Sequence, residues 1–215
     1  MNADTLAPPD MAARRATMVA SQLRTVGVTD EAVLTAMGTI AREDFVPAAL
    51  AGLAYGDAAL EVAPGRWLLE PMALALLLQH AAVTPGMRAL VVGAATGYSA
   101  AVLAAMGAKV TALDDDMAPR AVPGVTVAQG PLCAGWPAAA PYDLILFEGA
   151  IALVPAAIAA QLAPGGRAAA VVREAGVGRA MVGPVLADGR IAGLAFLEVA
   201  AHLLPGFAAP RGFVF

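Results

Sequence analysis

The sequence predicts a doubly wound α/β fold built on a mainly parallel sheet, with N-terminal helices and an antiparallel edge at the C-terminal end. Two observations predict it. Short apolar runs alternate with helix-length segments in the middle of the chain, and the last third instead resembles a hairpin. The 215 residues suit one compact domain. Within it we expect an N-terminal helical segment with a long loop (residues 1–84), followed by an α/β core (residues 85–215).

The N-terminal segment is predicted from helical spacing and from the residues that begin and end helices. Its turn-rich part has two interpretations, a functional loop or a short strand pair. The predicted elements, in chain order, are an amphipathic helix over residues 11–25, a short helix from an Asp30 N-cap to about Ile40, a helical turn opened by Pro47, the turn-rich residues 55–71, and a helix from Pro71 to about Val83.

The core is predicted from runs that are too short for helices and are bounded by turn formers. The five predicted strands are Ala89–Val92, Val110–Leu113, Gly124–Ala128, Tyr142–Phe147 and Ala168–Val172, with helices at Thr96–Met106 and about Leu153–Leu162. Residues 181–185 and 191–199 flank a loop at Ala187–Gly189, which predicts a hairpin. Such a hairpin supplies the antiparallel edge that many parallel sheets carry.

Composition excludes several classes of protein. Hydrophobic residues make up 60% of the chain and charged residues 14%, which excludes a mainly disordered chain. The net charge is −4 and the basic residues are scattered, so we expect no nucleic-acid partner. The single cysteine, Cys133, excludes an internal disulfide. Asp114–Asp116 has no second acidic cluster to complete a metal site, so no metal is expected.

The high mean hydropathy raises the possibility of a membrane protein. The longest apolar stretches, residues 72–83 and 144–162, are interrupted by polar residues or proline, and neither provides the roughly 20 apolar residues that a spanning helix needs. The first residues also lack the basic and apolar regions of a signal peptide. We therefore expect a cytoplasmic protein without a membrane partner.

A glycine-containing turn links the first predicted core strand to the helix that follows it. Small residues in this turn, Gly93 to Gly97, let a ligand approach the backbone, and the helix start offers N–H donors. Asp114 ends the second strand about 20 residues later, where a carboxylate can accept hydrogen bonds from a ribose. The pattern predicts a nucleoside-containing cofactor. The alternative is a plain turn with Asp114 as a solvated loop charge.

Blocks along nearly the whole chain resemble the protein-L-isoaspartate O-methyltransferases. The blocks that carry this resemblance are Ser21–Arg24, Arg42–Pro47, Ala54–Asp57, Gly97–Ala104, Pro141–Asp143, Gln161–Arg167, Leu203–Phe207 and Gly212–Phe215. The resemblance implies the Rossmann-like fold of methyltransferases that use S-adenosylmethionine. It also implies that the substrate is an isoaspartyl-containing protein or peptide, which the enzyme methylates for repair.

The same resemblance assigns roles to individual residues. It assigns the acceptor chemistry to Leu69 and Glu70, the substrate loop to Tyr55, Asp57, Arg66, Trp67 and Pro71, and the cofactor site to Gly93, Ala95, Gly97, Tyr98, Asp114, Gly130 and Pro131. Three of these positions, and Val91 in the first core strand, depart from the family pattern. Leu69 stands where the family has a serine, Val91 where it has an acidic residue, Ala95 where it has a glycine and Pro131 where it has an aspartate.

These departures leave two hypotheses open. The first is a methyltransferase acting on a protein carboxylate, most simply an isoaspartyl residue. The second is a catalytically impaired relative that acts as a binding module. Glu70 would repel an anionic acceptor unless Arg66 compensates for its charge. Trp67 is interpreted either as an anchor for substrate or partner or as a cap on the core beneath the loop.

Overall fold

The N-terminal part of the structure, a computed structural model that describes residues 10–209, is helical as predicted. Helix α1 (Met11–Met18) continues through a π-helical turn and a 3-10 turn to Val26. Helix α2 (Glu31–Thr39) begins after Asp30, whose carboxylate accepts the Ala32 N–H at 2.8 Å. This carboxylate is the N-cap that the sequence predicted, because it satisfies a backbone donor that the helix leaves unpaired.

Residues 55–71 contain a strand pair, one of their two predicted interpretations. Strands β1 (Leu60–Ala63) and β2 (Arg66–Leu68) are antiparallel. Gly65 lies in the turn between them with φ +71°, a conformation that glycine adopts without strain. Helix α3 (Pro71–Ala81) follows directly, with proline at its first turn. From this pair Arg66 reaches Asp114 at the end of a main-sheet strand, and Trp67 stacks on His202.

The main sheet has seven strands in the order β5-β4-β3-β6-β7-β8-β9. Strands β3 to β7 run parallel, and β8 and β9 add an antiparallel edge. The doubly wound prediction is therefore confirmed. The bounds are β3 (Arg88–Val92), β4 (Lys109–Asp114), β5 (Val125–Gln129), β6 (Tyr142–Ile151), β7 (Leu162–Glu174), β8 (Val177–Gly183) and β9 (Leu197–Glu198), with helix α4 (Tyr98–Ala105) between β3 and β4.

Two predicted elements differ from the structure. The helix expected at Leu153–Leu162 is limited to α5 (Ala156–Ala159), because Pro155 begins it and residue 162 already belongs to β7. The main hairpin turns at Ala175–Gly176, both with positive φ, which is earlier than predicted. At the predicted turn the structure has a single bridge between Val185 and Ile191. The turn at Ala175 was missed because alanine is not a typical residue for positive φ.

The strand order places a crevice at the carboxyl ends of β3 and β6. Strand β3 pairs with β4 on one side and with β6 on the other, so the winding direction reverses between β3 and β6. Residues 115–124, which connect β4 to β5, contain no helix and fold back over the start of α4, where the Arg120 N–H donates to the Thr96 carbonyl at 2.9 Å. Ligands of doubly wound folds bind at such a crevice.

Hydrophobic side chains cover both faces of the sheet. Successive residues of β3 alternate between two buried clusters, with Val91 in one and Leu90 and Val92 in the other. The cluster that contains Val91 also includes α2, α3 and α4, whereas the other includes Leu204 near the C-terminal end. No helix in residues 10–209 is both long and apolar enough to cross a membrane.

Candidate functional site

The turn after β3 lies where the sequence predicted it. Gly93 and Gly97 have positive φ values of 70° and 95°, and the Gly97 N–H donates to the Ala94 carbonyl at 2.7 Å. Ala95, in the position of a family glycine, also has positive φ, at 49°. The turn is thus held in a backbone conformation that strains an alanine by about 1–2 kcal/mol.

Asp114 lies beside this turn and is fully buried. Its carboxylate accepts the Ala95 N–H at 2.9 Å, the N–H groups of Asp116 and Met117 at 3.1 Å, and the Arg66 Nε–H at 3.2 Å. The alternative of a solvated loop charge is therefore wrong. The carboxylate instead ties the end of β4 to the turn after β3.

Arg66 reaches Asp114 from strand β2. Its side chain is buried, and it also forms ion pairs with Asp115 and Asp116. Burial alone would lower the pKa of Arg66, but the Asp114 and Asp115 carboxylates raise it. The structure therefore places the Arg66 charge on the acidic end of β4 and not beside Glu70. Among the described residues, no group of three His, Cys, Asp or Glu side chains is placed to hold a metal ion.

A C-terminal strap (residues 202–207) covers the crevice from the other side. Backbone hydrogen bonds of 2.8 and 2.9 Å join it to Ala150 at the end of β6. The Leu204 side chain fills the space above Gly93, where an added Cβ would lie 2.6 Å from Leu204 Cδ2. The His202 ring stacks on the Trp67 ring, with centroids 3.6 Å apart and planes 10° apart. Trp67 therefore joins the β1–β2 pair to the strap.

The acceptor loop (residues 68–71) connects β2 to α3. Leu69 is 2% exposed, so its side chain points into the core. Its N–H donates to Glu148 Oε1 at 2.9 Å, and its carbonyl accepts from Arg42 Nη2 at 2.8 Å. Glu70 is half-buried, and burial, followed by the charge of Asp57, raises the pKa of its carboxyl group. Pro71 is the first residue of α3.

The other residues to which the family resemblance assigns a role differ in burial and in contacts. Tyr55 is buried and donates to the Glu43 carboxylate, whereas Asp57 is exposed. The ring of Tyr98 is buried beneath the Arg42 guanidinium, 4.7 Å from its centroid. The Gly130 N–H donates to the Asp114 carbonyl at 3.1 Å. Pro131, which follows, is exposed.

Sequence reasoning missed the functional interest of Arg42 and Glu148. Both are buried, with exposures of 0% and 1%. Glu148 belongs to β6 and accepts the Ser99 O–H as well as the Leu69 N–H. A signal was present in the sequence, since Glu148 is a lone carboxylate within a long apolar run. Buried carboxylates of this kind are rare unless they are bonded.

Comparisons with known proteins agree with the geometry. The family described as Protein-L-isoaspartate(D-aspartate) O-methyltransferase matches residues 14–189. A protein-L-isoaspartate O-methyltransferase of Methylorubrum extorquens (strain PA1) is 46% identical over 168 residues, covering 74% of each chain. One from Methylorubrum populi (strain ATCC BAA-705 / NCIMB 13946 / BJ001) is 43% identical over 164 residues, covering 72% of this chain and 77% of the relative.

The chain belongs to the protein-L-isoaspartate O-methyltransferase family. The fold agrees with this assignment. A crystal structure of a putative protein-L-isoaspartate O-methyltransferase from Plasmodium falciparum, in complex with S-adenosyl-L-homocysteine, matches with a TM-score of 0.70 at 16% identity and covers 92% of this chain and 99% of its own. The prediction of a methyltransferase-type, Rossmann-like sheet is confirmed.

One of the four departures from the family pattern, Val91, lies close to a carboxylate from another strand. Val91, in the position of a family acidic residue, is buried in the sheet. Glu148 supplies a carboxylate close by, since Val91 pairs with Leu146 of β6 and Glu148 lies two residues further along that strand. Residues two apart share one face of a strand. A carboxylate is therefore still present on this face, contributed by the neighbouring strand.

Proposed function

We propose that this chain transfers a methyl group from S-adenosylmethionine to the carboxylate of L-isoaspartyl residues in proteins, a repair reaction. The observation that carries the proposal is the buried Asp114 carboxylate, which is bonded to the Gly93–Gly97 turn. The acceptor loop follows strand β2, whose Arg66 contacts the same carboxylate. The chain matches the family over residues 14–189. The relatives bear the name of this activity.

The turn fits a nucleoside cofactor once two side chains withdraw. Gly93 has no side chain on the face that Leu204 now fills, so the backbone there can be approached closely. The Asp114 carboxylate is a suitable partner for a ribose, although Arg66 holds one of its oxygens. Leu204 and Arg66 both have flexible side chains. We therefore assign cofactor binding to Gly93, Gly97, Asp114 and Gly130.

The protein's contribution to the chemistry is positioning. When bound, S-adenosylmethionine supplies a methyl group on a sulfonium, which a carboxylate can attack without a base. The acceptor is already an anion at neutral pH, so a loop without a serine is chemically sufficient. The acceptor loop must therefore hold the carboxylate in line and exclude water, and such alignment contributes several kcal/mol to catalysis.

We also propose a cellular setting. We place the reaction in the cytoplasm, where thiols stay reduced, and a chain with a single cysteine is compatible with that compartment. The substrate is a protein or peptide with an isoaspartyl residue. The half-buried Glu70 then lies beside an anionic acceptor and weakens its binding.

Ligand-induced stabilisation tests the cofactor assignment. S-adenosylhomocysteine at 100 times its Kd should raise the free energy of unfolding by about 2.7 kcal/mol. Thermal or urea unfolding measures this increase. Asp114→Asn should weaken binding, while Asp116→Asn, which alters a side chain that is 84% exposed, serves as the matched control. No stabilisation at millimolar ligand would rule out the cofactor.

Peptide methylation tests the acceptor assignment separately. A peptide with one isoaspartyl residue should be methylated, whereas the same peptide with an ordinary aspartyl residue should not. If S-adenosylhomocysteine binds and neither peptide is methylated, the acceptor assignment is wrong and the cofactor assignment stands.

A further inference from the structure

Two buried side chains of opposite charge hold the backbone of Leu69. The Arg42 guanidinium donates to the Leu69 carbonyl at 2.8 Å, and the Glu148 carboxylate accepts the Leu69 N–H at 2.9 Å. Both polar groups of one peptide residue are therefore bound by side chains from distant segments. Leu69 lies 27 residues from Arg42 and 79 from Glu148 along the chain.

Each of these side chains is anchored a second time. Glu148 also accepts the Ser99 O–H in the first turn of α4, directly after the glycine turn. Arg42 also donates to the Ala54 carbonyl at 2.9 Å and packs over the Tyr98 ring at 4.7 Å. Ser99 and Tyr98 are neighbours at the start of α4. The two side chains thus connect the acceptor loop to the helix that begins at the cofactor turn.

Charge compensation links the two side chains energetically. Burial raises the pKa of Glu148 and lowers the pKa of Arg42. The hydrogen bonds from Ser99 and Leu69, and then the charge of Arg42, oppose the shift in Glu148, whereas Tyr98 and then Glu148 oppose the shift in Arg42. Removing one of these two charges leaves the other buried with less compensation, which is unfavourable. Arg42 and Glu148 therefore help to fix the loop position through the Leu69 backbone, in addition to the packing of the Leu69 side chain.

We propose that Arg42 and Glu148 are positioning residues that set the distance between the acceptor loop and the cofactor turn by holding the backbone of Leu69. This proposal rests on the proposed function. It explains how the loop keeps its place with leucine where the family has serine, because the pair holds the backbone N–H and carbonyl, which every residue except proline provides. Neither side chain is assigned contact with substrate.

Hydrogen exchange of the Leu69 amide tests the bond to Glu148 without a methylation assay. In Glu148→Ala the Leu69 N–H loses its acceptor, so its exchange should accelerate about tenfold or more relative to neighbouring buried amides, as each 1.4 kcal/mol corresponds to a factor of ten. Glu174→Gln, at an exposed strand end, is the control for the loss of a carboxylate. Unchanged Leu69 exchange in Glu148→Ala would overturn the proposal, whether or not the protein methylates peptides.

Steady-state kinetics test the positioning role. In Glu148→Ala the kcat should fall about tenfold or more with KM for the isoaspartyl peptide within about twofold, since misplacement affects the reacting geometry. Glu148→Gln retains groups that can bond Leu69 and Ser99, so it should recover most of the lost kcat. A stability loss with unchanged kcat would show a purely structural pair and overturn the proposal.

A double-mutant cycle adds a readout that is independent of activity. Arg42→Met with Glu148→Gln removes both charges, so the double variant should lose less stability than the sum of the two single losses. Additive losses would overturn the charge coupling. An inactive wild-type protein would contradict the proposed function, and the exchange and stability measurements would still decide whether the pair holds the loop.

Discussion

The Leu69 side chain is buried although its backbone lies on the acceptor loop. We predict that Leu69→Ala costs about 2–5 kcal/mol of stability, since it removes packed methyl groups. Leu69→Ser should cost more, because a hydroxyl is buried as well. Among protein that remains folded, Leu69→Ser and Leu69→Ala should methylate an isoaspartyl peptide at similar rates, because the side chain at this position points into the core. If Leu69→Ser is faster by about tenfold, or about 1.4 kcal/mol in the transition state, with folding checked by circular dichroism, a hydroxyl at this position reaches the acceptor.

The hydrogen bonds around the turn after β3 are made by backbone groups, so they do not require the side chains at the positions that depart from the family pattern. Ala95 has a positive φ, which glycine adopts without strain, and its N–H donates to the Asp114 carboxylate. Gly130 keeps a backbone bond to the Asp114 carbonyl even though exposed Pro131 follows it. The peptide groups around Asp114 are therefore arranged without the side chains of Val91 or Pro131.

At the scale of elements, the β1–β2 pair acts as a cover fixed by Arg66. Arg66→Met should raise the affinity for S-adenosylhomocysteine, because it removes one of the three hydrogen bonds to Asp114 Oδ1 and so leaves this oxygen more available to the ligand. The same change should lower the stability of the ligand-free protein by about 3–5 kcal/mol, as expected when a buried ion pair loses one partner. Isothermal calorimetry and urea unfolding measure the two effects.

A control for Arg66→Met is available on the opposite edge of the sheet. Arg179→Met also removes an arginine from an ion pair, but its side chain is 41% exposed and pairs with Glu198. It should change stability by at most about 1 kcal/mol and leave ligand affinity unaltered. Weaker binding by Arg66→Met would mean that Arg66 supports the cofactor and does not block it.

Elements that follow local rules could be predicted from the sequence. Helix α2 follows from its Asp30 cap, and the strand after Gly86 follows from its apolar run. The short α5 and the turn at Ala175 could not be predicted, because there tertiary pairing overrides local preference. Asp114 was found by its spacing from the turn. Its pairing with Arg66, 48 residues away, depends on how the hairpin packs on the sheet.

Across residues 10–209, few charges are buried, and those that are have partners. Arg42, Arg66, Asp114 and Glu148 are each at most 2% exposed, and each is bonded to another described group. All four lie between the sheet and the segment from Arg42 to Leu69. The region that carries the proposed chemistry therefore also concentrates the electrostatic cost of folding.

This concentration predicts how stability depends on pH. Burial raises the pKa of Glu148, and burial with the Asp57 charge raises that of Glu70. A carboxyl group with a raised folded-state pKa binds its proton more tightly in the folded protein. Each group therefore makes the free energy of unfolding fall as the pH rises from the unfolded-state pKa of about 4.3 through the higher folded-state pKa. Above the folded-state pKa the group causes no further change with pH.

Glu70→Gln should therefore become progressively more stable than wild type across this pH window and reach a constant difference at neutral pH. Urea unfolding from pH 4 to pH 8 measures the difference, with Glu174→Gln as the control. A stability difference that is the same at every pH would contradict the raised pKa of Glu70 as its cause, because only an effect that does not involve titration of the carboxyl group is independent of pH.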